Sequence, residues 1–205
     1  LQDCACCGAY VKYGAAPKVW KAFMCHNLGA DETKDPFTPA AEIHGAKYKW
    51  GVKTVALTQA DDQANPGTIT SPTAWAYLPF DNSNNNWLSA NNPCPPGWRV
   101  PTEEEWGAVI NSSYNPTITK VGTDWTNSAG NYTTGMKVGD ALFLPAAGLR
   151  DYNNGSLVNH GGYGYYWSST ANDSYYGRNL FFSSSSQIIS NYSLSSGFSV
   201  RCVEE

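Results

Sequence analysis

Thirteen residues near the middle of the chain, Cys94-Pro95-Pro96-Gly97-Trp98-Arg99-Val100-Pro101-Thr102-Glu103-Glu104-Glu105-Trp106, restrict the fold more than any other stretch. Thr102 followed three residues on by Glu105 is a capping box, in which hydroxyl and carboxylate each satisfy a backbone N–H at a helix start. The three acidic residues complement the positive end of the helix dipole. A helix therefore starts at Thr102, and Trp106, Val109 and Ile110 recur at helical spacing to bury one face. The same argument accounts for the three glutamates structurally, so they are not read as catalytic acids.

The rest of the chain reads as short strands and long loops. A Cys4-Ala5-Cys6-Cys7-Gly8 cluster precedes two strand-like pieces, Tyr10 to Tyr13 and Val19 to Cys25, with Gly14 to Pro17 as their turn. One cysteine of the cluster is expected to meet Cys25. Thr38 suits a helix N-cap and Pro39 the first helical position, which predicts a short helix there. Tyr48-Lys49-Trp50-Gly51 ends that helix or opens a loop, and Gln59 to Pro72 is loop material. Within it, Asp61 and Asp62 are expected to be solvated, since two adjacent carboxylates fall short of the ligand set calcium needs. Asp81 to Asn86 is a further polar turn. Asn111 to Gly139 is an Asn, Thr and Gly-rich excursion ending in an apolar strand at Ala141 to Leu144. The chain closes on a strand in which Phe198, Val200 and Cys202 point one way and Ser199, Arg201 and Val203 the other.

Bulk properties narrow the function. A chain of 205 residues and 22.3 kDa suits one domain. Its formal net charge is -4 and no Lys or Arg run occurs, so nucleic acid is excluded as a partner. No apolar run approaches the ~18 residues that cross a bilayer, so no direct membrane insertion is expected. Residue 1 is not Met, so any signal or anchor is expected to have been removed or to lie outside this sequence. The six cysteines point to an oxidising compartment but allow fifteen pairings, among which the sequence does not choose. Cys4 to Cys7 is a nominal CxxC without a second pair, and His26, His44 and His160 are scattered, so no zinc site is expected. No HExxH, P-loop, nucleotide-binding glycine motif or Ser, His and Asp arrangement occurs; neither cofactor nor catalysis is expected.

The last quarter, residues 151–199, is compositionally distinct: 32 of its 49 residues are Ser, Tyr, Asn or Gly, and it holds no Lys or Glu. Tyr gives large, rigid, amphipathic contact area, while Ser, Gly and Asn give adaptable hydrogen bonds, the composition of binding surfaces. Disorder would call for few aromatics and much charge, the opposite of what stands here. The anchors expected of such a surface are Tyr163, Tyr165, Tyr175 and Tyr176.

The frame Asn27-Leu28-Gly29-Ala30, Cys94 to Trp106, Leu144-Pro145-Ala146-Ala147-Gly148, Tyr166-Trp167-Ser168-Ser169-Thr170 and Gly197-Phe198-Ser199-Val200-Arg201-Cys202-Val203 resembles the Fibrobacter succinogenes major paralogous domain over roughly residues 19–203. The resemblance implies a single α+β domain over 1–205 of C-type lectin-like fold, related to formylglycine-generating enzymes. It would have two helices, twisted antiparallel strands, long loops and adjacent chain ends, with residues 1–18 as a Cys-rich extension. It also implies a bridge between Cys94 and Cys202, worth ~3–5 kcal/mol for so long a loop. The calcium-ligand triplets of sugar-binding C-type lectins are absent. Cys94 and Cys202, where a bridge is expected, are the only cysteines of the matched core that could serve an oxidase.

Within residues 149–203, frame residues such as Trp167-Ser168-Ser169 and Arg178-Asn179-Leu180 alternate with Tyr, Ser, Asn, His, Asp and Ile. This resembles the variable region of diversity-generating retroelement target proteins. By that likeness the solvent-facing, ligand-binding positions are Tyr152, Asn153, His160, Tyr163, Tyr165, Ser174, Tyr175, Tyr176, Phe182, Ile189, Tyr192 and Leu194. The expected function is non-catalytic recognition of a protein or glycan on another cell or particle, at an extracellular or cell-surface location. The alternatives are an adhesin-like structural role in a lipoprotein of the bacterial surface and, behind it, an enzyme related to the formylglycine-generating type.

Overall fold

The computed structural model describes residues 7–12, 15, 17–69, 75 and 87–205. Cys4, Cys6, Tyr13, Gly14 and the expected Asp81 to Asn86 turn lie outside them. Strand β1 (Gly8–Val11) pairs antiparallel with β2 (Val19–Ala22). Helix α1 (Gln59–Ala64), strand β3 (Trp98–Arg99) and helix α2 (Glu103–Val109) come next. Strands β4 (Ile118–Val121), β5 (Gly135–Val138) and β6 (Leu142–Pro145) form one antiparallel sheet. Strands β7 (Leu149–Arg150) and β8 (Leu157–Val158) form a small ribbon. Strands β9 (Gly164–Ala171), β10 (Tyr176–Phe182) and β11 (Gln187–Ser193) form a second three-stranded sheet with β11 at its edge. The last strand, β12 (Val203–Glu204), pairs with β3. Among the described residues, small antiparallel sheets with two short α-helices make this an α+β chain.

The helix at Thr102 forms as its sequence dictates. Its hydroxyl accepts from the Glu105 N–H at 3.1 Å, and the Glu105 carboxylate accepts from the Thr102 N–H at 2.8 Å. Glu105 also holds Arg99 through two bonds of 2.6 and 2.8 Å. Trp106 and Val109 are fully buried, and the Trp106 indole donates to the Trp167 carbonyl at 3.1 Å, tying α2 to β9. Ahead of α2, Cys94 is bonded to Cys202 across 108 residues, and Cys7 to Cys25. On the chain-entropy account the longer link stabilises by about 4–5 kcal/mol. Phe23 bridges Val203, and the Met24 and Leu28 N–H groups donate to Cys202 and Val200, so early and late segments of the chain lie side by side.

Several expectations are corrected. Thr38 caps no α-helix: its hydroxyl donates to Asp35, and the chain beyond it makes only a three-residue 3-10 turn at Ala41–Ile43. Instead a helix stands where a loop was expected, with Thr58 as N-cap accepting from the Asp61 N–H. Asp62, expected to be solvated, is buried between Lys47 at 3.1 Å and Arg150 at 2.6 Å. Tyr48 and Trp50 open no loose loop but bury against the late segment, through a Tyr48–Phe198 bridge and a bond from the Trp50 N–H to Leu194. The Asn111 to Gly139 excursion carries β4 and most of a sheet. The closing segment does not alternate, since residues 197–203 are buried on both sides. Its Arg201 reaches the Asn27 side chain and the Met24, Cys25 and Phe143 carbonyls at 2.8–3.1 Å. A buried guanidinium is tolerable only when its five donors find such acceptors.

Two cores result, one on each face of the β9–β10–β11 sheet. Leu180, Phe182 and Tyr166 face the first, with α2, β1, β5 and β6; Ile189 packs against it. Tyr165 and Trp167 face the second, with Trp50, Phe198, Val200 and Cys202; Phe181 and Tyr192 pack against it.

Candidate functional site

A groove of about 490 Å³ opens beside the second core, lined by Tyr152, Tyr175, Tyr176, Asn191, Tyr192 and Ser193. Three elements meet there. The start of β10 faces the end of β11, with Tyr176 opposite Ser193 and Gly177 opposite Tyr192. The turn after β9 sets the exposed pair: the Asp173 carboxylate accepts from the Tyr175 N–H at 2.8 Å and the Tyr176 N–H at 3.0 Å. Those bonds, the Tyr175 one foremost, hold the Asp173 carboxyl below its ordinary range. The third element is the turn after β7, where Asp151 accepts from the Asn153 N–H and the Gly155 N–H donates to the Asp151 carbonyl, presenting Tyr152. Gly177 is required at the floor, because a Cβ there would come within 2.6 Å of the Trp50 ring.

The turn that carries Tyr152 is fastened from below. Arg150, fully buried, donates to Asp62 through Nε at 2.6 Å, to the Asp62 and Asn65 carbonyls through one terminal nitrogen, and to Gly67 and Gly155 through the other. Burial pushes the Asp62 carboxyl upward, but the Lys47 ammonium and Arg150 guanidinium outweigh it and hold the group charged, below its usual range. This buried triad clamps α1 to the start of the Ser and Tyr-rich quarter.

Beneath the groove the aromatic rings form a continuous stack. Tyr192 packs on Tyr165 at 6.1 Å and on Phe198 at 5.4 Å between centroids, and Phe198 stacks on Trp167 at 4.0 Å. Tyr163 stacks on Phe181 at 5.5 Å, which meets Tyr165 edge-on at 5.3 Å. Burial pushes the Tyr165 hydroxyl up to about 12, and the Asn159 amide donates to it at 2.8 Å. Burial likewise raises Tyr192, assisted by Asp151 and Tyr152. These phenols stay neutral and act as hydrogen-bonding rims on apolar plates.

Of the twelve positions expected at the surface, Tyr152, Asn153, Ser174, Tyr175 and Tyr176 are exposed, and Tyr163, Ile189 and Tyr192 are partly so. Tyr152, Tyr175, Tyr176 and Tyr192 come together in the groove. Four expectations fail: His160, Tyr165, Phe182 and Leu194 are buried, at 4, 6, 0 and 6% exposure. Phe182 lies on the first-core face, stacked on Tyr166 at 6.1 Å. Leu194 turns inward because its backbone links Tyr175 to Trp50. Tyr165, on the outer strand β9, is covered by the rings of Phe181, Tyr192 and Phe198. His160 packs against His44 and Tyr132 with ring centroids 5.0 and 4.9 Å apart, and its Nδ1 lies 3.0 Å from the Ser128 carbonyl. The groove residues passed over in the sequence are Asn191 and Ser193, whose signal was their place on either side of Tyr192.

Among the described residues the groove lining carries no charged side chain. Among the described residues no cluster of three or more His, Cys, Asp or Glu gathers as a metal set, and no helix is long and apolar enough to cross a membrane. Asp61, weighed as a cation ligand with Asp62, accepts from the Thr58 hydroxyl at 2.6 Å. Such an arrangement can stack apolar surface on Tyr rings and offer amide and hydroxyl groups around it.

The sequence model described as the Fibrobacter succinogenes major domain matches residues 25–204. No curated protein matches the chain, and no solved structure does.

Proposed function

Given that the chain belongs to the Fibrobacter succinogenes major domain family, we propose that it is a non-catalytic recognition domain that binds a protein or glycan ligand in the tyrosine groove. The observation that carries this reading is the convergence of Tyr152, Tyr175, Tyr176 and Tyr192 from three elements around a concavity whose described lining carries no charge. Tyr175 is 65% exposed, Tyr152 46% and Tyr176 45%, a large apolar area for a monomer surface unless something covers it. Aromatic anchors in such a setting dominate binding energy, and a stiff, pre-stacked base limits the entropy lost on binding.

A C-type lectin-like fold belongs to this proposal. It is supported by the early segment Phe23 to Leu28 lying beside Val200 to Val203, by the two helices and by the link from ahead of α2 to the last strand through Cys94 and Cys202. Non-catalytic action is supported by the same link, which ties up the cysteine pair an oxidase would need as thiolates. Two disulfides accord with an extracellular or cell-surface setting. Diversification by a retroelement is supported by the position of Tyr152, Ser174, Tyr175 and Tyr176 on exposed turns, where the scaffold tolerates change. A near-copy of the DNA coding for residues 149–203 beside a reverse transcriptase gene would bear that out, and its absence from the locus would remove it.

The binding claim is tested with the labelled domain on a printed glycan array and on intact bacterial cells. The expected result is retained binding in calcium-chelated buffer and loss of at least about 2 kcal/mol, roughly thirtyfold, on combined replacement of Tyr152, Tyr175 and Tyr176 by Ala. Binding that survives the triple replacement at full strength would remove the groove as the site.

A further inference from the structure

We propose that the open edge of β11 pairs antiparallel with β11 of a second copy of this chain, joining two three-stranded sheets into one six-stranded sheet. The inference rests on the edge strand and not on the ligand-binding reading. An edge strand offers a row of unpaired N–H and C=O groups, and monomeric proteins blunt it with Lys, Pro, a bulge or a short length. Strand β11, Gln187-Ile188-Ile189-Ser190-Asn191-Tyr192-Ser193, uses none of these. It has seven residues, no charge and no proline, and it runs against β10 in unbroken register; the irregularity of this sheet lies between β10 and β9. Among the described residues the one backbone bond to it from beyond β10 is at its very end, from the Ser196 N–H to the Ser193 carbonyl, which leaves residues 187–192 open. Ile188 is left 50% exposed on it.

The strand is also complementary to itself. A two-fold axis through Ser190 sets Ile188 opposite Tyr192 of the second copy, an aromatic and β-branched cross-strand pair, with Ile189 opposite Asn191 and Gln187 opposite Ser193. No like charges meet. The ends differ in sign: Lys120 donates to the Ser186 carbonyl and the Gln187 side chain at 3.0 and 2.9 Å, while Asp173 binds the Tyr175 and Tyr176 N–H groups beside Ser193. Antiparallel pairing brings the cationic end of one copy to the acidic end of the other. It also lays residues 187–189 of the second copy along the Asn191, Tyr192 and Ser193 wall, so each groove is completed by its neighbour.

Sedimentation velocity on the intact chain, from low to high micromolar concentration, tests this. The expected result is a dimer whose Kd rises roughly tenfold or more on Ser190→Lys, which places two ammonium groups opposite each other at the axis. Ile188→Lys, at a half-exposed position, is the second variant should the first fail to fold. Its far-ultraviolet circular dichroism and melting temperature are expected to match the parent while its dimer is lost. A parent chain that stays monomeric throughout overturns the proposal, and so does a folded lysine variant that dimerises with the Kd of the parent.

Discussion

The two faces of the β9–β10–β11 sheet carry similar side chains and meet different fates. On one face Tyr166, Leu180 and Phe182 are sealed by α2, by the β1–β2 hairpin and by β5 and β6. On the other, Tyr165 and Trp167 are equally buried, but the stack continues through Tyr192 to rings that reach solvent. The first face ends in packing against Ile110, Ile118 and the half-buried Tyr114 and Trp125. The second ends in tyrosines at the groove. Burial within a sheet is set by what lies over each face, so a shared Tyr and Phe vocabulary yields a core on one side and a contact surface on the other.

The sharpest way to break this contrast is to hollow the sealed face. Phe182→Ala is expected to cost about 3–5 kcal/mol, because neighbours on a closed core collapse only partly into the void. Chemical denaturation would show a lowered midpoint at unchanged slope. A loss under about 1 kcal/mol would mean that this face is as loosely covered as the other.

A smaller effect comes from the buried pair of histidines, His44 and His160. Among the described residues neither ring nitrogen of the buried His44 has a hydrogen-bond partner, and burial holds it well below its ordinary value, with His160 and Lys47 adding to the effect. Burial lowers His160 to about 4, the Ser128 carbonyl opposing it. Both stay neutral in the folded chain at pH values where the unfolded chain protonates, near 6.5. Their neutral packing therefore contributes fully above pH 6.5 and is lost as pH falls from there toward 4. For His160 alone the loss is on the order of 3 kcal/mol. Melting temperature followed over that window in the parent and in His160→Gln is expected to fall more steeply in the parent. Parallel curves would place the acid sensitivity elsewhere.

The smallest expected effect belongs to the exposed rim. Tyr175→Ala is expected to change stability by no more than about 0.5 kcal/mol, since a 65% exposed ring has little burial to lose. A loss of several kcal/mol in thermal unfolding would show that this ring serves the fold.

Local signals were legible in the sequence wherever one residue type has one physical use. Thr102 and Glu105 announced their helix, and the cluster with Cys7 announced its link to Cys25. The resemblance supplied the pairing of Cys94 with Cys202. Helix α1 escaped because Gln59–Ala64 has no apolar side chain larger than Ala and hides its single buried residue, Asp62, in a run that reads as solvated. Its cap, Thr58 with Asp61 three residues on, was present but lacked the apolar period that supports such a signal. Within the last quarter, composition announced a surface without assigning faces. In β9 the five residues Gly164 to Ser168 are all buried, so no alternation marked Tyr165 as interior. Arg150 and Arg201 were unreadable as core residues because their acceptors are mostly main-chain carbonyls contributed by distant segments.

The Cys7–Cys25 bond and the contacts of Met24 with Cys202 and Phe23 with Val203 have a mechanical consequence. Tension applied between residues 7 and 204 crosses from Cys7 to Cys25 through a covalent bond, bypassing the β1–β2 hairpin, and passes to the last strand within a few residues. No groove residue lies on that path. A chain of this family pulled from both ends would carry the strain along a short seam and leave its tyrosines undisturbed in their grip.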